Sequence, residues 1–272
     1  MHKIILFFSV IGISGCTAFF FLPLEKHYYS PSDLDLDYQD VYFSSLDGTR
    51  LHGWWLPAMG EATGSVLFLH GNAENISTHI GNVMFLPPQG LNVFLLDYRG
   101  YGRSEGTAYL EGLLMDVEAG LGQLLVHDKT DNLAVFGQSL GAALAILVAA
   151  ESSYKEDIAV LVADSSFTSF REITREKLSN HWLTWLFQWP LAMTVEDDYR
   201  PIDEISKLHP TAVILVHSKA DLVVPFHHGE SLYNTAREPK NFWVTQNSVH
   251  NGFFSKLENQ TALARRIKVW FK

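Results

Sequence analysis

Phe136-Gly137-Gln138-Ser139-Leu140-Gly141-Ala142-Ala143-Leu144 is the stretch that decides how this chain folds. The apolar run before it, Asn132 to Val135, reads as a buried strand, and the run after it, Ala145 to Ala150, reads as a buried helix. Ser139 then stands on the turn between them, at the centre of a Gly-x-Ser-x-Gly pattern. Such a turn strains the backbone of its central residue, and it closes only if the positions two before and two after lack colliding side chains. Gly137 and Gly141 meet that demand, and Ala142 and Ala143 let the helix lie close to the sheet. The pentapeptide alone arises by accident in about one chain in ten of this length. Its meaning therefore rests on its surroundings.

Working outward, apolar strands alternate with helices. Asp40–Ser45 and Arg50–Leu56 form a hairpin across Asp47-Gly48. Ser65–Leu69 is a buried strand ending at His70-Gly71-Asn72, and a helix is expected over Ser77–Leu86 before Pro87-Pro88. Leu91–Leu96 leads into the turn-rich Asp97–Gly106, and a helix near Leu110–His127 precedes the central strand. Beyond the serine turn come strands Ile158–Ala163, Thr211–Val216 and Lys240–Thr245, and a closing helix with Leu257, Leu263, Ile267 and Trp270 on one face. This alternation predicts an α/β fold, a mostly parallel sheet covered by helices on both faces. In such sheets reactive groups gather beyond the carboxyl ends of the strands. Ser139, His70-Gly71-Asn72, Asp164, Asp221 and His250 all fall there.

A serine hydroxyl needs an adjacent base to become a nucleophile, and the base needs an orienting acid. His250 is the base expected, because among twelve histidines it alone lies just past the last strand. Asp221, in the loop after the preceding strand, is the acid expected, with Asp164 as the competitor. An oxyanion requires two backbone donors, and the N–H groups of Leu140 and Asn72 are placed to supply them. The glycines and charges of Asp97–Gly106 suit a compact loop locked by an internal Asp–Arg network, with no chemistry assigned to it.

Composition narrows the classes. The 272 residues are 47% hydrophobic with a formal net charge of −10, enough for a large core and unsuited to nucleic acid. The single cysteine, Cys16, excludes an intrachain disulfide. Neither a phosphate loop nor a His-Glu-x-x-His pair is present, so no cofactor or metal is expected.

Residues 1–24 read as a targeting segment, 25–37 as a linker and 38–272 as the folded domain. Ile13-Ser14-Gly15-Cys16 resembles a bacterial lipoprotein signal, in which Cys16 takes the lipid. The apolar run continues past Cys16 through Leu22, so Ile4–Leu24 is also long enough to span a bilayer uncleaved, and an ordinary cleaved signal is the third reading. All three place the domain in the cell envelope, outside the cytoplasm.

Together these segments resemble the α/β-hydrolase superfamily, in the branch of monoacylglycerol lipases, serine aminopeptidase-like proteins and depalmitoylase-related α/β-hydrolase-domain proteins. The resemblance is carried by Asp47-Gly48 with Leu51–Pro57, Leu69–Asn75, Asp97–Gly106, Phe136–Gly141, and Asp221 with Val224-Pro225. One departure is Ser248 before Val249-His250, where relatives usually place Gly. The resemblance implies a serine hydrolase with the triad Ser139, Asp221 and His250, acting on esters or thioesters. A peptidase and a catalytically silent binding module are the alternatives. An insertion at about 165–209, rich in aromatics from Phe167 to Trp189, is expected to cap the nucleophile and line an acyl pocket. Ordinary packing or contact with a membrane surface would also use those aromatics. The expected partners are a small acyl ester or lipid-like substrate and, through the N-terminus, a membrane. Oligomeric state is left open.

Overall fold

The computed structural model describes residues 21–180 and 182–272. The targeting segment, with Cys16, lies outside the described residues except for its last four positions. Eight strands form the main sheet: β1 Gln39–Ser44, β2 Arg50–Leu56, β3 Gly64–Leu69, β4 Leu91–Asp97, β5 Leu133–Gln138, β6 Ile158–Asp164, β7 Ala212–Ser218 and β8 Lys240–Thr245. Their order across the sheet is β8-β7-β6-β5-β3-β4-β2-β1. Pairing is parallel from β8 through β4, and only β2 runs against its neighbours. Five longer helices cover it: α1 Leu110–His127, α2 Leu140–Glu151, α3 Phe170–Ser179, α4 Phe226–Thr235 and α5 Leu257–Lys268.

The strands at the middle are apolar on both faces, so both faces must be covered. One core packs Leu67, Leu69, Val135 and Leu161 under α1 and α2, and the other packs Val66, Phe68, Phe136 and Val162 under α5. β3 sits between β4 and β5, so the chain reverses its winding there. A crevice opens at such a reversal, beyond the strands' carboxyl ends. Leu69 pairs with Gly137 in register, which brings His70-Gly71-Asn72 and Ser139 to that crevice side by side.

Two expectations need correction. The helix expected over Ser77–Leu86 is a single turn at Ile76–His79 followed by a 3-10 turn at Ile80–Asn82. Gly81 and Asn82 are poor helix formers, and Asn75 caps only the first turn. Residues 22–36, the end of the expected targeting segment together with most of the expected linker, are packed as a strap. Leu22-Pro23 pairs in parallel with Ala73-Glu74, and the Asn75 side-chain amide donates to the carbonyls of Leu24 and Lys26 at 2.7 and 2.8 Å. Pro31 and Leu36 are buried.

Candidate active site

Ser139 has φ 53° and ψ −113°, between the last residue of β5 and the first of α2. A Cβ at position 137 would lie 2.3 Å from the Gly141 carbonyl oxygen, and one at 141 would lie 2.1 Å from that of Leu69. Both glycines are therefore obligatory for the turn. The Ser139 N–H donates to the Asp164 carbonyl at 2.8 Å, and its own carbonyl accepts from Ala142 and Ala143. These bonds hold the strained residue in place.

His250 Nδ1–H donates to Asp221 Oδ2 at 2.7 Å. Asp221 Oδ1 accepts the N–H groups of Val223 and Val224 at 2.8 and 2.9 Å, which fixes the carboxylate against the loop. Burial pushes the Asp221 carboxyl upward, but the His250 hydrogen bond and the two amides outweigh it and keep the pKa below the ordinary value. His217, on β7, holds the far side of that loop through Nε2 and the Val224 carbonyl at 3.0 Å.

Asp164 is held differently. Its carboxylate accepts from Gln138 Nε2 at 3.0 Å and from Ser165 Oγ at 3.3 Å. Burial dominates there and raises its pKa to about 6. A group that resists ionisation is a poor partner for an imidazolium, so the geometry joins His250 to Asp221, and Asp164 supports the serine turn through its backbone.

On the oxyanion side, Leu140 is the first residue of α2, where helix N–H groups have no carbonyl a turn earlier to bond. The loop after β3 is clamped by His70, whose Nδ1–H donates to the Gly71 carbonyl at 2.7 Å. Burial, with His79 nearby, pushes the pKa of His70 down to about 3, so the ring stays neutral. Tyr101 Oη donates to the Asn72 carbonyl at 2.8 Å, and Tyr98 Oη to that of His70 at 3.0 Å. Each carbonyl is thus turned toward the protein, and the loop is built by side chains from β3 and from the turn after β4.

Comparisons with known proteins agree with this architecture. The family model described as "Serine aminopeptidase, S33" matches residues 60–194. The uncharacterised protein YfhR of Escherichia coli K12 is 33% identical over 87% of this chain and 81% of its own length. The α/β-hydrolase domain-containing protein WAV2 of Arabidopsis thaliana is 31% identical over 75% of this chain and 69% of its own. The chain belongs to the α/β-hydrolase family. Among solved structures, the Pyrococcus furiosus esterase Pf2001 superposes with a TM-score of 0.76, at 22% identity, over 93% of this chain and 98% of that one.

In this α/β-hydrolase the loop Asp97–Gly106 is structural, but its partners differ from those expected. Arg99 reaches outward to Asp116 of α1 at 2.8 Å and to Asp47 of the β1–β2 hairpin at 2.7 Å. Asp97 instead accepts from His27 Nε2 at 2.9 Å and from His52 Nδ1 at 3.3 Å. Sequence reading missed Gln138, His70, Tyr101 and His27 as positioning residues. Gln138 could have been found, since it precedes the serine at a strand end, and His70 acts on its neighbour Gly71; Tyr101 and His27 act across 29 and 70 positions of chain.

The aromatics of the inserted segment fall into two groups. Phe167 and Phe170 are core residues, whereas Trp182, Trp185, Phe187 and Trp189 stand out in solvent, Trp182 with 80% of its surface exposed.

Proposed function

We propose that this α/β-hydrolase cleaves carboxylic esters or thioesters through an acyl-enzyme on Ser139. The observation that carries the reading is the Asp221–His250 hydrogen bond lying on the same strand-end ledge as a serine held at positive φ. Ser139 Oγ attacks the acyl carbonyl while His250 Nε2 takes its proton, and Asp221 orients the ring and stabilises the imidazolium. The tetrahedral oxyanion is received by the N–H groups of Leu140 and Asn72. His250 then protonates the leaving alcohol or thiol, and a water activated by the same ring releases the acid.

A lipid-like acyl group suits the surroundings. Leu222 and Val249, beside the acid and the base in sequence, are exposed, as are the cap residues Leu186 and Met193. Large exposed apolar patches mark interaction with apolar partners. Leu22-Pro23 pairs with Ala73-Glu74, next to the Asn72 loop. A lipidated Cys16 or an uncleaved apolar segment would then hold the active site close to a bilayer in the cell envelope. Peptide hydrolysis, which the family description names, requires an anionic pocket for a free amine. The exposed neighbours of the acid and base are apolar, which favours the ester reading.

Fluorophosphonate labelling of the full chain tests the nucleophile, with adduct expected on Ser139 and none in Ser139→Ala. A series of p-nitrophenyl esters and acyl thioesters, run beside aminoacyl amides, tests the substrate class. Faster turnover of the amides would replace the ester reading with the peptidase one. Intact-mass analysis of membrane-extracted protein separates a lipidated chain starting at Cys16 from an unmodified one starting at Met1.

A further inference from the structure

From Leu178 to Val195 the chain carries no Lys, Arg, Asp or Glu, although 18% of its residues are charged. Three of its seven tryptophans, Trp182, Trp185 and Trp189, fall in that stretch. A 3-10 turn at Trp185–Phe187 runs into a short helix at Gln188–Ala192. Both ends of the segment are tied down. Thr184 Oγ1 donates to the Leu178 carbonyl at 2.7 Å, and the Arg171 guanidinium donates twice to the Val195 carbonyl, at 3.1 and 3.2 Å. Ala192 and Val195 are buried beneath it. Held in this way, Trp182, Trp185, Leu186, Phe187, Trp189 and Met193 each keep 56–80% of their surface in solvent. Single exposed apolar side chains need no explanation, but six on one fixed segment mark a surface that meets an apolar partner.

The rest of the chain says which partner. Ile4 to Leu24 holds no charged side chain and is long enough to attach the protein to a bilayer. The described end of that segment, Leu22-Pro23, pairs with Ala73-Glu74 just past the carboxyl end of β3. The cap segment follows the carboxyl end of β6. β5 lies between β3 and β6, and all three run parallel. The chain's entry and the cap therefore share one edge of the sheet, on either side of the Ser139 turn, and β3 and β6 are only about 10 Å apart. The side chains suit the same partner. An indole has an apolar body and one N–H donor, and it favours the boundary between acyl chains and headgroups. The Arg175 guanidinium lies 4.9 Å from the centre of the Trp189 ring, where a basic side chain can keep its charge at headgroup level while its stem is covered. A net charge of −10 gives no long-range attraction to anionic surfaces, so apolar contact must supply the affinity.

We propose that the cap face bearing Trp182, Trp185, Leu186, Phe187, Trp189 and Met193 docks into the headgroup–acyl boundary of a phospholipid bilayer, beside the point where the N-terminal segment attaches the chain. The proposal rests on the membrane attachment put forward above and names a second surface by which the domain meets the bilayer. A small face is sufficient there. Tethering makes the contact intramolecular, so an affinity too weak to hold a free protein on a membrane still keeps the cap docked. Docking at both the entry and the cap sets the orientation of the domain, with the Ser139 turn between the two contacts. An ester that resides in the bilayer then has a short path to the nucleophile, whereas a water-soluble ester reaches it whether or not the cap is docked.

Tryptophan fluorescence reads the contact, because the first tryptophan is Trp54 and the N-terminal segment contributes none. The full chain is reconstituted into phosphatidylcholine vesicles whose acyl chains carry bromine either near the headgroups or near the bilayer centre. Emission should be quenched more by the shallow bromines than by the deep ones, and quenching should persist at high salt. The double variant Leu186→Asp/Phe187→Asp keeps every tryptophan but puts charge into the face, and should lower the quenched fraction by roughly fivefold or more. Both positions are exposed, and circular dichroism checks that the variant folds. Trp270→Phe, outside the cap, should leave the quenching as it is. Co-flotation with the vesicles without quenching overturns the docking and leaves the attachment standing, and failure to co-float removes both. Unchanged quenching in the double variant, or its loss in Trp270→Phe, overturns the docking as well. So does an unquenched wild type that forms dimers in detergent which the double variant abolishes, since a second copy then covers the face. A fall in p-nitrophenyl acetate turnover as large as the fall in quenching would assign the face to the acyl pocket instead. Quenching does not depend on turnover, so a chain that is quenched but hydrolyses no ester keeps the docking and loses the ester reading.

Discussion

Two aspartates near strand ends accept from histidines, Asp221 from one and Asp97 from two. Asp221, after β7, accepts a single histidine proton at 2.7 Å, and the His250 ring keeps part of its surface open toward the crevice. Asp97, the last residue of β4, accepts from His27 and His52 and is fully buried with His52. His52 Nε2 continues to Asp40 at 2.7 Å, and the His27 ring packs edge-on to Trp54 with centroids 4.9 Å apart. Burial resists ionisation of Asp97, yet the two histidine hydrogen bonds hold its carboxyl well below the usual range. The same bond thus does opposite work in two places. At Asp221 it engages one imidazole nitrogen, and in the proposed reaction the other moves the proton. Under the strap it uses the ring nitrogens to pin residues 22–28 to the sheet.

Substitutions that separate activity from stability can break this contrast. The largest effect belongs to Ser139→Ala, expected to lower ester turnover by roughly 10⁴–10⁶ with an unchanged melting temperature. Retention of more than about a tenth of the activity would remove Ser139 from the mechanism. Next, Asp221→Asn should reduce kcat by roughly 10³–10⁴ with little loss of stability, because the His250 tautomer is no longer set. Asp164→Asn should leave turnover within about tenfold. If steady-state kinetics rank the two variants the other way round, the acid is Asp164.

Asp97→Asn is expected to do the reverse of Asp221→Asn. Breaking a buried charge-assisted pair costs about 3–5 kcal/mol, so urea denaturation should show that loss while the folded fraction keeps most of its kcat. A collapse of kcat at undiminished stability would mean that the buried pair takes part in catalysis.

Asp164 sharpens the comparison through pH. In the unfolded chain its carboxyl ionises near 3.8, and in the folded protein near 6. Between those values the folded state holds a proton that the unfolded state has released. Stability therefore falls as pH rises from about 4 to 6, by up to roughly 3 kcal/mol, and stays at the lower level above. Asp164→Asn cannot ionise and should flatten that part of the profile. Urea midpoints at pH 4.5 and 7 check it, and an unchanged slope in the variant would place the titration elsewhere.

The smallest effect is expected at the strap. Asn75→Ala removes the two amide bonds to Leu24 and Lys26 and the Oδ1 cap on the Ser77 N–H, at about 1 kcal/mol each. Because Ala73-Glu74 pairs with Leu22-Pro23, the Asn72 loop should loosen as well, lowering kcat/KM by less than about tenfold. A variant with wild-type kinetics and stability would reduce the strap to a passive tether.

Much of this was legible in the chain. β2, β8 and α1 run over the residues their patterns predict, because alternating or continuous apolar runs of that length have one way to bury themselves. Ser139 could be read from two glycines, since only a residue without Cβ fits 2.1–2.3 Å from a backbone oxygen. Asp221 and His250, expected from position at strand ends, are hydrogen-bonded to each other. The helix expected over Ser77–Leu86 was misread because apolar content hid the helix-breaking Gly81-Asn82.

By itself, then, the sequence determined the parallel sheet and the serine turn, because each follows from local pattern over a few residues. The tertiary structure decided between Asp221 and Asp164 as the partner of His250, that residues 22–28 pack beside the Asn72 loop, that Trp182, Trp185 and Trp189 are exposed, and that Glu176 meets His227 and His228. Those outcomes join positions 29 to 70 residues apart or depend on how short helices tilt on the sheet. No local periodicity encodes them; they are set by which side chains the folded core brings within bonding distance.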